Sequence, residues 1–335
     1  MNALELTSRL ISIPSISGDE RAVAEFLGDY LSHAGFEVDL PDAEPGRPNV
    51  YARMGNPDVV LSSHIDTVPP YVEFREDEDF IYGRGACDAK GIIAAMIEAA
   101  EQIAAAGVKD FGLLFVVGEE SGSAGARAAN TIPNRSRFLI NGEPTQSRLA
   151  LGSKGSLKVT VKTSGRAAHS AYPEIGESAI EKLLDVLDDF RRAPLPTHEV
   201  LGEATMNIGM IRGGVAHNVI PPAAEADLMF RIVTDTRSIK DIIRTITAGR
   251  AEVSYIFECE PVFMEKIAGF DTDVVRFTTD IPLLTNWGKP LLFGPGSILD
   301  AHTPHEKISK LELAHAVGAY SEMVVRLKEM LSAES

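Results

Sequence analysis

The sequence predicts an α/β fold interrupted by an inserted antiparallel α+β domain, and three observations predict it. Residues 1–153, and again 261–335, alternate short continuous apolar runs with helical patterns, as a largely parallel sheet covered by helices requires. Residues 154–260 instead alternate polar and apolar side chains within strands, in the order strand-helix-strand-strand-helix-strand. Charged residues recur where the apolar runs end, positions at which lone charges are rarely buried without a partner or a metal.

Taken in order, residues 2–12 and 20–34 read as helices. Val23, Phe26, Leu27, Tyr30 and Leu31 recur at helical spacing in the second, and Gly35 is placed to end it. Strands follow at 36–40, 49–54 and 58–64. After the loop GRGACDAKG comes a strongly apolar helix at 91–106, then a strand at 111–118, a short helix near 122–130 and a strand at 137–143. The inserted domain reads as strands 156–165, 204–214, 223–233 and 252–258 with helices at about 176–192 and 237–250. The chain then returns to α/β character with a strand near 290–297 and an amphipathic helix at about 309–332. The outer domain is therefore discontinuous, 1–153 plus 261–335, around an insertion at 154–260.

Bulk properties narrow the function. At 335 residues, two domains are the expectation. Hydrophobic residues are 44% and charged residues 24%, which argues against extended disorder. The formal charge of −16 (32 Lys+Arg against 48 Asp+Glu) disfavours a nucleic-acid backbone as the main partner. Cys87 and Cys259 form no CxxC pair, so neither a disulfide framework nor a cysteine zinc site is indicated. The segment MNALELTSRLISIPS does not read as a signal peptide, and no apolar run approaches the roughly 20 residues needed to span a bilayer. A soluble cytoplasmic protein acting on a small molecule is the expectation.

Five polar segments carry the chemistry: HIDTVPP (64–70), GRGACDAKG (83–91), GEESGSAG (118–125), NGEPT (141–145) and GPGSILDAHTPHE (294–306). His64, Asp88, Glu119, Glu120, Glu143 and His302 within them form the mixed imidazole and carboxylate set that borderline divalent cations accept. His64 and Asp66 stand two apart, so in an extended segment they share a face, and Asp66 can hold the imidazole nitrogen turned away from a metal. GRGACDAKG resembles a phosphate loop only superficially, because it fits neither GxxxxGK[ST] nor GxGxxG. Asp88 can cap the helix that follows or bridge two cations. Adjacent Glu119 and Glu120 repel one another unless cations or protons intervene. We assign Glu119 as the base that takes a proton from water and Glu120 as a ligand.

With these motifs in hand, the chain resembles the acetylornithine deacetylase, succinyl-diaminopimelate desuccinylase and carboxypeptidase G family of di-zinc amidohydrolases. HxDTVP, GRGxxDxKG, EExxxxGA, GEPT and GPGSxxxAHTxxE appear in family order, from about Leu6 to the last helix. The resemblance implies a zinc-peptidase-like catalytic domain and a ferredoxin-like lid through which two subunits pair. It implies two Zn²⁺, with Co²⁺ as a substitute: His64 and Glu143 on one ion, Glu120 and His302 on the other, and Asp88 between them. Asp66 stands behind His64, and Glu119 serves as general base and acid. By spacing alone His169 is an exposed strand-end histidine. Through GRAAHSAYPEIGESAI, the resemblance makes it the lid histidine that enters the neighbouring subunit's site to stabilise the oxyanion. Asn218 and Arg231 match substrate-contacting positions, Arg231 for an α-carboxylate. Gly296 lies in a glycine-rich segment whose backbone N–H groups can approach substrate. His217 and His305 read as surface residues.

Within that family EESGSAGAR, TMNIGMIRGG and LLFGPGSILDAHTPHE point to N-acetylornithine as substrate, cleaved to ornithine and acetate in arginine biosynthesis. Hydrolases of succinyl-diaminopimelate, acetylcitrulline, carrier-protein-linked lysine or dipeptides would use the same metal residues. A non-catalytic binding protein on this scaffold would lack Glu119, His302 or Asp88, and all three are present.

Overall fold

The computed structural model describes residues 1–333 as two compact units. The first comprises Met1–Leu151, Phe263–Asp273 and the chain from Thr279 onward. The second comprises Gly152–Val262 and Val274–Thr278. Residues Val274–Thr278, read from the sequence as part of the outer domain, thus cluster with the insertion, because the chain returns once more before completing the first unit.

In the first unit, helices α1 (Ala3–Ile11) and α2 (Arg21–His33) precede strands β1 (Glu37–Asp39), β2 (Val50–Met54) and β3 (Val59–His64). Helix α3 (Lys90–Ala105), β4 (Phe111–Val116), α4 (Ala124–Ala129) and β5 (Phe138–Asn141) follow. Asn2 starts α1 with a reciprocal capping box to Glu5. After the second unit come β10 (Lys289–Leu292) and α7 (Lys310–Ala333), and the sheet order is β1-β2-β4-β3-β5-β10. The last four strands are parallel, while β1 and β2 pair antiparallel at one side.

Alternation along each strand divides the core into two layers. Val59 and Leu61, Phe111, Leu113 and Phe115, and Phe138 and Ile140 face the larger cluster with α1, α2, α3 and α7. Val60, Leu114, Val116 and Leu139 face the opposite side, against α4 and the fully buried Trp287. Burial on both faces explains why these strands are continuously apolar in sequence. The register matters for the site. His64 pairs with Val116, Ser62 with Asn141, and Asn141 with Leu292, so the parallel strands all finish along one edge, β3 and β4 reaching two residues beyond β5 and β10.

The second unit is an antiparallel sheet of β6 (Gly155–Ser164), β7 (Thr205–Gly213), β8 (Ala223–Ile232) and β9 (Glu252–Cys259), in the order β7-β8-β6-β9. Helices α5 (Ala179–Arg192) and α6 (Thr236–Thr247) cover one face. Even-numbered residues of β8 are buried against them, and odd-numbered ones, including Arg231, lie on the other face. Among the described residues no helix is long and apolar enough to cross a membrane.

Candidate metal centre

Each parallel strand hands its chain to a polar loop at the same edge, the end at which open α/β sheets form their sites. β3 delivers His64 as its last residue. β4 leads to Gly118, whose φ of +74° lies in the left-handed region that favours glycine. That bend starts the tight helical turn Glu119–Ser121. β5 leads to Glu143. The loop before α3 brings Asp88, and the segment after β10 brings His302, whose backbone sits at φ +62°, an uncommon conformation for a residue with a side chain.

These side chains converge into two overlapping triads. Ligand atoms of His64, Asp88 and Glu143 lie within 4.8 Å of one another, as do those of Asp88, Glu120 and His302. Asp88 belongs to both, and its two oxygens are divided between the histidines. Oδ1 is 2.9 Å from His64 Nε2, and Oδ2 is 3.2 Å from His302 Nε2. His302 Nε2 is also 2.6 Å from Glu120 Oε1. His64, Asp88 and Glu143 are buried, whereas the His302 side chain is about half exposed (48%).

Asp66 is placed differently from the expectation. The His64 Nδ1 partner is the Asp66 backbone carbonyl at 3.0 Å, and the Asp66 carboxylate is farther away at 3.5 Å. That carboxylate instead accepts the backbone N–H groups of Glu119 (3.0 Å) and Glu120 (3.1 Å) and the Ser17 hydroxyl (2.7 Å). Asp66 therefore organises the Glu119–Glu120 turn at least as much as it orients His64.

The electrostatics suit a cation. Burial pushes the Glu119 and Glu143 carboxyls well above the carboxylate range. Hydrogen bonding to Asp88 and Glu120 raises His302 to about 10, and burial of His64 is outweighed by Asp66 and Asp88, so it too is raised. Burial opposes ionisation of Asp88, yet the two histidines hold it below the usual range. Among the described residues Glu143 makes no side-chain hydrogen bond or ion pair, although it is buried. Two divalent ions would supply the positive charge that this carboxylate-rich pocket lacks, and the imidazole and carboxylate donors suit zinc. The residues present fit the group.

Other predicted positions fall elsewhere. Gly296 (φ +85°) packs against Cys87, the neighbour of Asp88, where an added Cβ would lie 2.7 Å from the cysteine Cβ. His169, Asn218 and Arg231 all belong to the second unit. There His169 and Asn218 are adjacent: Ser170 N–H donates to the Asn218 carbonyl, and His169 bridges to Val219. Arg231 Nη1 donates to the Ser156 hydroxyl (2.6 Å) and, among the described residues, pairs with no carboxylate. His217 and His305 are exposed.

Sequence reasoning missed four residues at the first unit's site. Ser17 supports Asp66. Arg84 and Glu306, fixed letters of GRGxxDxKG and AHTxxE, form a buried ion pair at 2.5 Å. Asp280 is buried with neither oxygen hydrogen-bonded, and burial raises its carboxyl to about 6 despite the opposing influence of nearby Ser123 and His64. The charged letters inside the two motifs were a usable signal. Ser17 and Asp280 lie in segments that carry none.

An α/β core whose parallel strands end along one edge, and two triads sharing one carboxylate beside a further glutamate, define an amide-bond hydrolase of the metallopeptidase class. The chain belongs to peptidase family M20/M25/M40, whose model matches residues 60–326. It is 39% identical to a peptidase M20 domain-containing protein of Schizosaccharomyces pombe over 97% of this chain and 84% of that one. It is 36% identical to a probable carboxypeptidase of Aspergillus clavatus, covering 94% and 86% of the two chains. A tripeptidase structure from Staphylococcus aureus superposes with a TM-score of 0.80 at 21% identity, covering 96% of each chain. The protein is thus an M20 peptidase that hydrolyses amide bonds. None of these three similar proteins is named an acetylornithine deacetylase, the subgroup to which the motif flavour pointed.

Proposed function

We propose that this enzyme cleaves the amide bond of a small acylated α-amino acid, an N-acyl amino acid or short peptide, beside a free carboxylate. The observation that carries the reading is Asp88, shared between two triads with Glu119 at their side. Two Zn²⁺, replaceable by Co²⁺, would be held by His64, Asp88 and Glu143 and by Asp88, Glu120 and His302. When bound they would supply Lewis-acid polarisation and a more acidic water.

Glu119 takes a proton from the attacking water while the new C–O bond forms. It returns that proton to the amide nitrogen as the C–N bond breaks, releasing a carboxylate and an amine. Its backbone, tied to Asp66, keeps the carboxylate facing the pocket. His169 Nδ1 accepts the Ala171 N–H (3.2 Å), so in the neutral ring Nε2 carries the hydrogen and can donate to an oxyanion. Arg231, without a carboxylate partner among the described residues, is suited to the substrate's α-carboxylate, with Asn218 and the Gly296 backbone as further contacts. β7 is an edge strand with exposed Met210 and Ile211, which supports pairing of two subunits through this unit. The unpaired cysteines Cys87 and Cys259 suit a reducing compartment such as the cytoplasm.

N-acetylornithine, indicated by the motifs, and a peptide with a free C-terminus, indicated by the relatives' names, both satisfy this chemistry. A panel of N-acetylornithine, N-acetylcitrulline, succinyl-diaminopimelate and simple dipeptides, each with its carboxylate free or amidated, tests it on zinc-loaded enzyme. Preference for the free carboxylates is expected. Equal rates on the amidated forms would reject the carboxylate requirement.

A further inference from the structure

One buried cluster in the first unit takes no part in the chemistry above. Glu306 is fully buried, and its Oε1 accepts three backbone N–H groups in succession: Gly85 (2.9 Å), Cys87 (3.2 Å) and Asp88 (3.2 Å). Its Oε2 meets Arg84 Nη1 at 2.5 Å. Arg84 is equally buried and reaches two further carbonyls, Pro70 through Nε (3.2 Å) and Thr303 through Nη1 (3.4 Å). The Glu306 carbonyl in turn accepts Gly83 N–H (3.1 Å).

The pair therefore joins three segments that each carry a predicted ligand. Pro70 follows the strand-end His64, the Gly83–Asp88 loop ends in the shared carboxylate, and Thr303 directly follows His302. Compared with apolar packing of similar volume, a buried ion pair contributes little or no net stability. What this one distinctively provides is geometry, because a planar guanidinium and a carboxylate fix directions as well as distances.

We infer that Arg84 and Glu306 are positioning residues that set the placement of Asp88 relative to His302, and so govern occupancy of the second triad more than the first. The asymmetry follows from attachment. In the Asp88, Glu120, His302 triad the clamp holds Asp88 directly and grips Thr303, the residue next to His302, whereas in the His64, Asp88, Glu143 triad it holds Asp88 but its Pro70 contact lies six positions beyond His64, which a fully buried strand already fixes. The inference rests on the two-cation reading proposed above.

The test is Zn²⁺ titration of metal-free protein against a competing chelator, resolving two equivalents, with thermal unfolding of the metal-free form measured alongside. Glu306→Asp keeps the charge but withdraws the carboxylate by about 1.5 Å, one bond length. It is expected to weaken at least tenfold the equivalent that Glu120→Gln weakens, to weaken markedly less the one that Glu143→Gln weakens, and to lower kcat more than it changes KM. Arg84→Lys keeps the charge but loses the fork that holds Pro70 and Thr303. It should show the same split, and it decides the matter if Glu306→Asp does not fold. Leu327→Ala is the stability control. It opens the core in α7 beside Lys328, which contacts Asp58 and Asp110 at the opposite ends of the strands. It should lower the unfolding temperature and leave both affinities unchanged. Equal weakening of both equivalents in the clamp variants, or no weakening, would overturn the inference. Wild-type protein that fails to bind two equivalents would instead reject the underlying metal reading, so the two failures are distinguishable.

Discussion

The backbone N–H of Glu119 donates to Asp66 Oδ1 at 3.0 Å, so the residue two positions beyond His64 fixes the turn that carries the proposed base. Asp66 thereby sets the Glu119 backbone through its carboxylate while its backbone carbonyl faces the His64 imidazole. This coupling explains how a glutamate on a loop can be held in place without, among the described residues, a hydrogen bond to its side chain.

Glu119→Gln preserves shape and the Asp66 contact but cannot accept a proton. kcat is expected to fall by about 10²- to 10⁴-fold while zinc stoichiometry stays at the wild-type value. Steady-state kinetics paired with metal analysis checks both halves, and wild-type turnover in this variant would remove Glu119 as the base.

The shared position of Asp88 predicts a pattern across three variants. Asp88→Asn should weaken both zinc equivalents, Glu143→Gln mainly one and Glu120→Gln mainly the other, each by more than about 100-fold at the affected ion. Competitive Zn²⁺ titration of the three proteins reads this out. Equal losses in all three would mean that the triads do not act as separate sites.

His169→Ala should reduce turnover without changing zinc content, since His169 belongs to neither triad. Purified heterodimers of His169→Ala with Glu119→Gln should regain part of the activity if the histidine serves the neighbouring subunit. Verified heterodimers as inactive as their parents would confine His169 to its own subunit or remove it from catalysis.

Asp280 makes a prediction about pH. Its folded-state pKa of about 6 lies above the ordinary value of 3.8, so between those pH values the native form of metal-free protein binds more protons at this site than the unfolded chain. The contribution of this group to stability therefore falls as pH rises from about 4 to 6, at up to about 1.4 kcal/mol per pH unit. Asp280→Asn should make that interval less steep in urea unfolding of metal-free protein, the raised Glu119 and Glu143 still contributing slope of the same sign. An unchanged slope would show that the native carboxyl titrates normally.

The sequence made the principal elements legible because the two periodicities are strong. The short apolar runs within 111–118 and 137–143 suggested strands buried on both faces, and the alternating 156–165 suggested a strand with one open face. The candidate metal ligands were legible because each ends such a strand or sits in a glycine-flanked loop. The Asp66 contacts were harder to foresee. Its partners are backbone N–H groups and Ser17, some 50 residues away, and pairing of that kind leaves no trace in local spacing. Arg84 and Glu306 were visible as charges but not as a pair, since 222 residues separate them. Asp280 was missed because a buried carboxylate after two threonines looks like a turn until the core closes over it.

The most direct test of the account is anomalous diffraction at the zinc edge from crystals of zinc-loaded protein. Two peaks are expected, one ligated by His64 and Glu143, the other by Glu120 and His302, with Asp88 coordinating both. A single peak, or zinc bound away from Asp88, would contradict the claim that these side chains form one dinuclear centre.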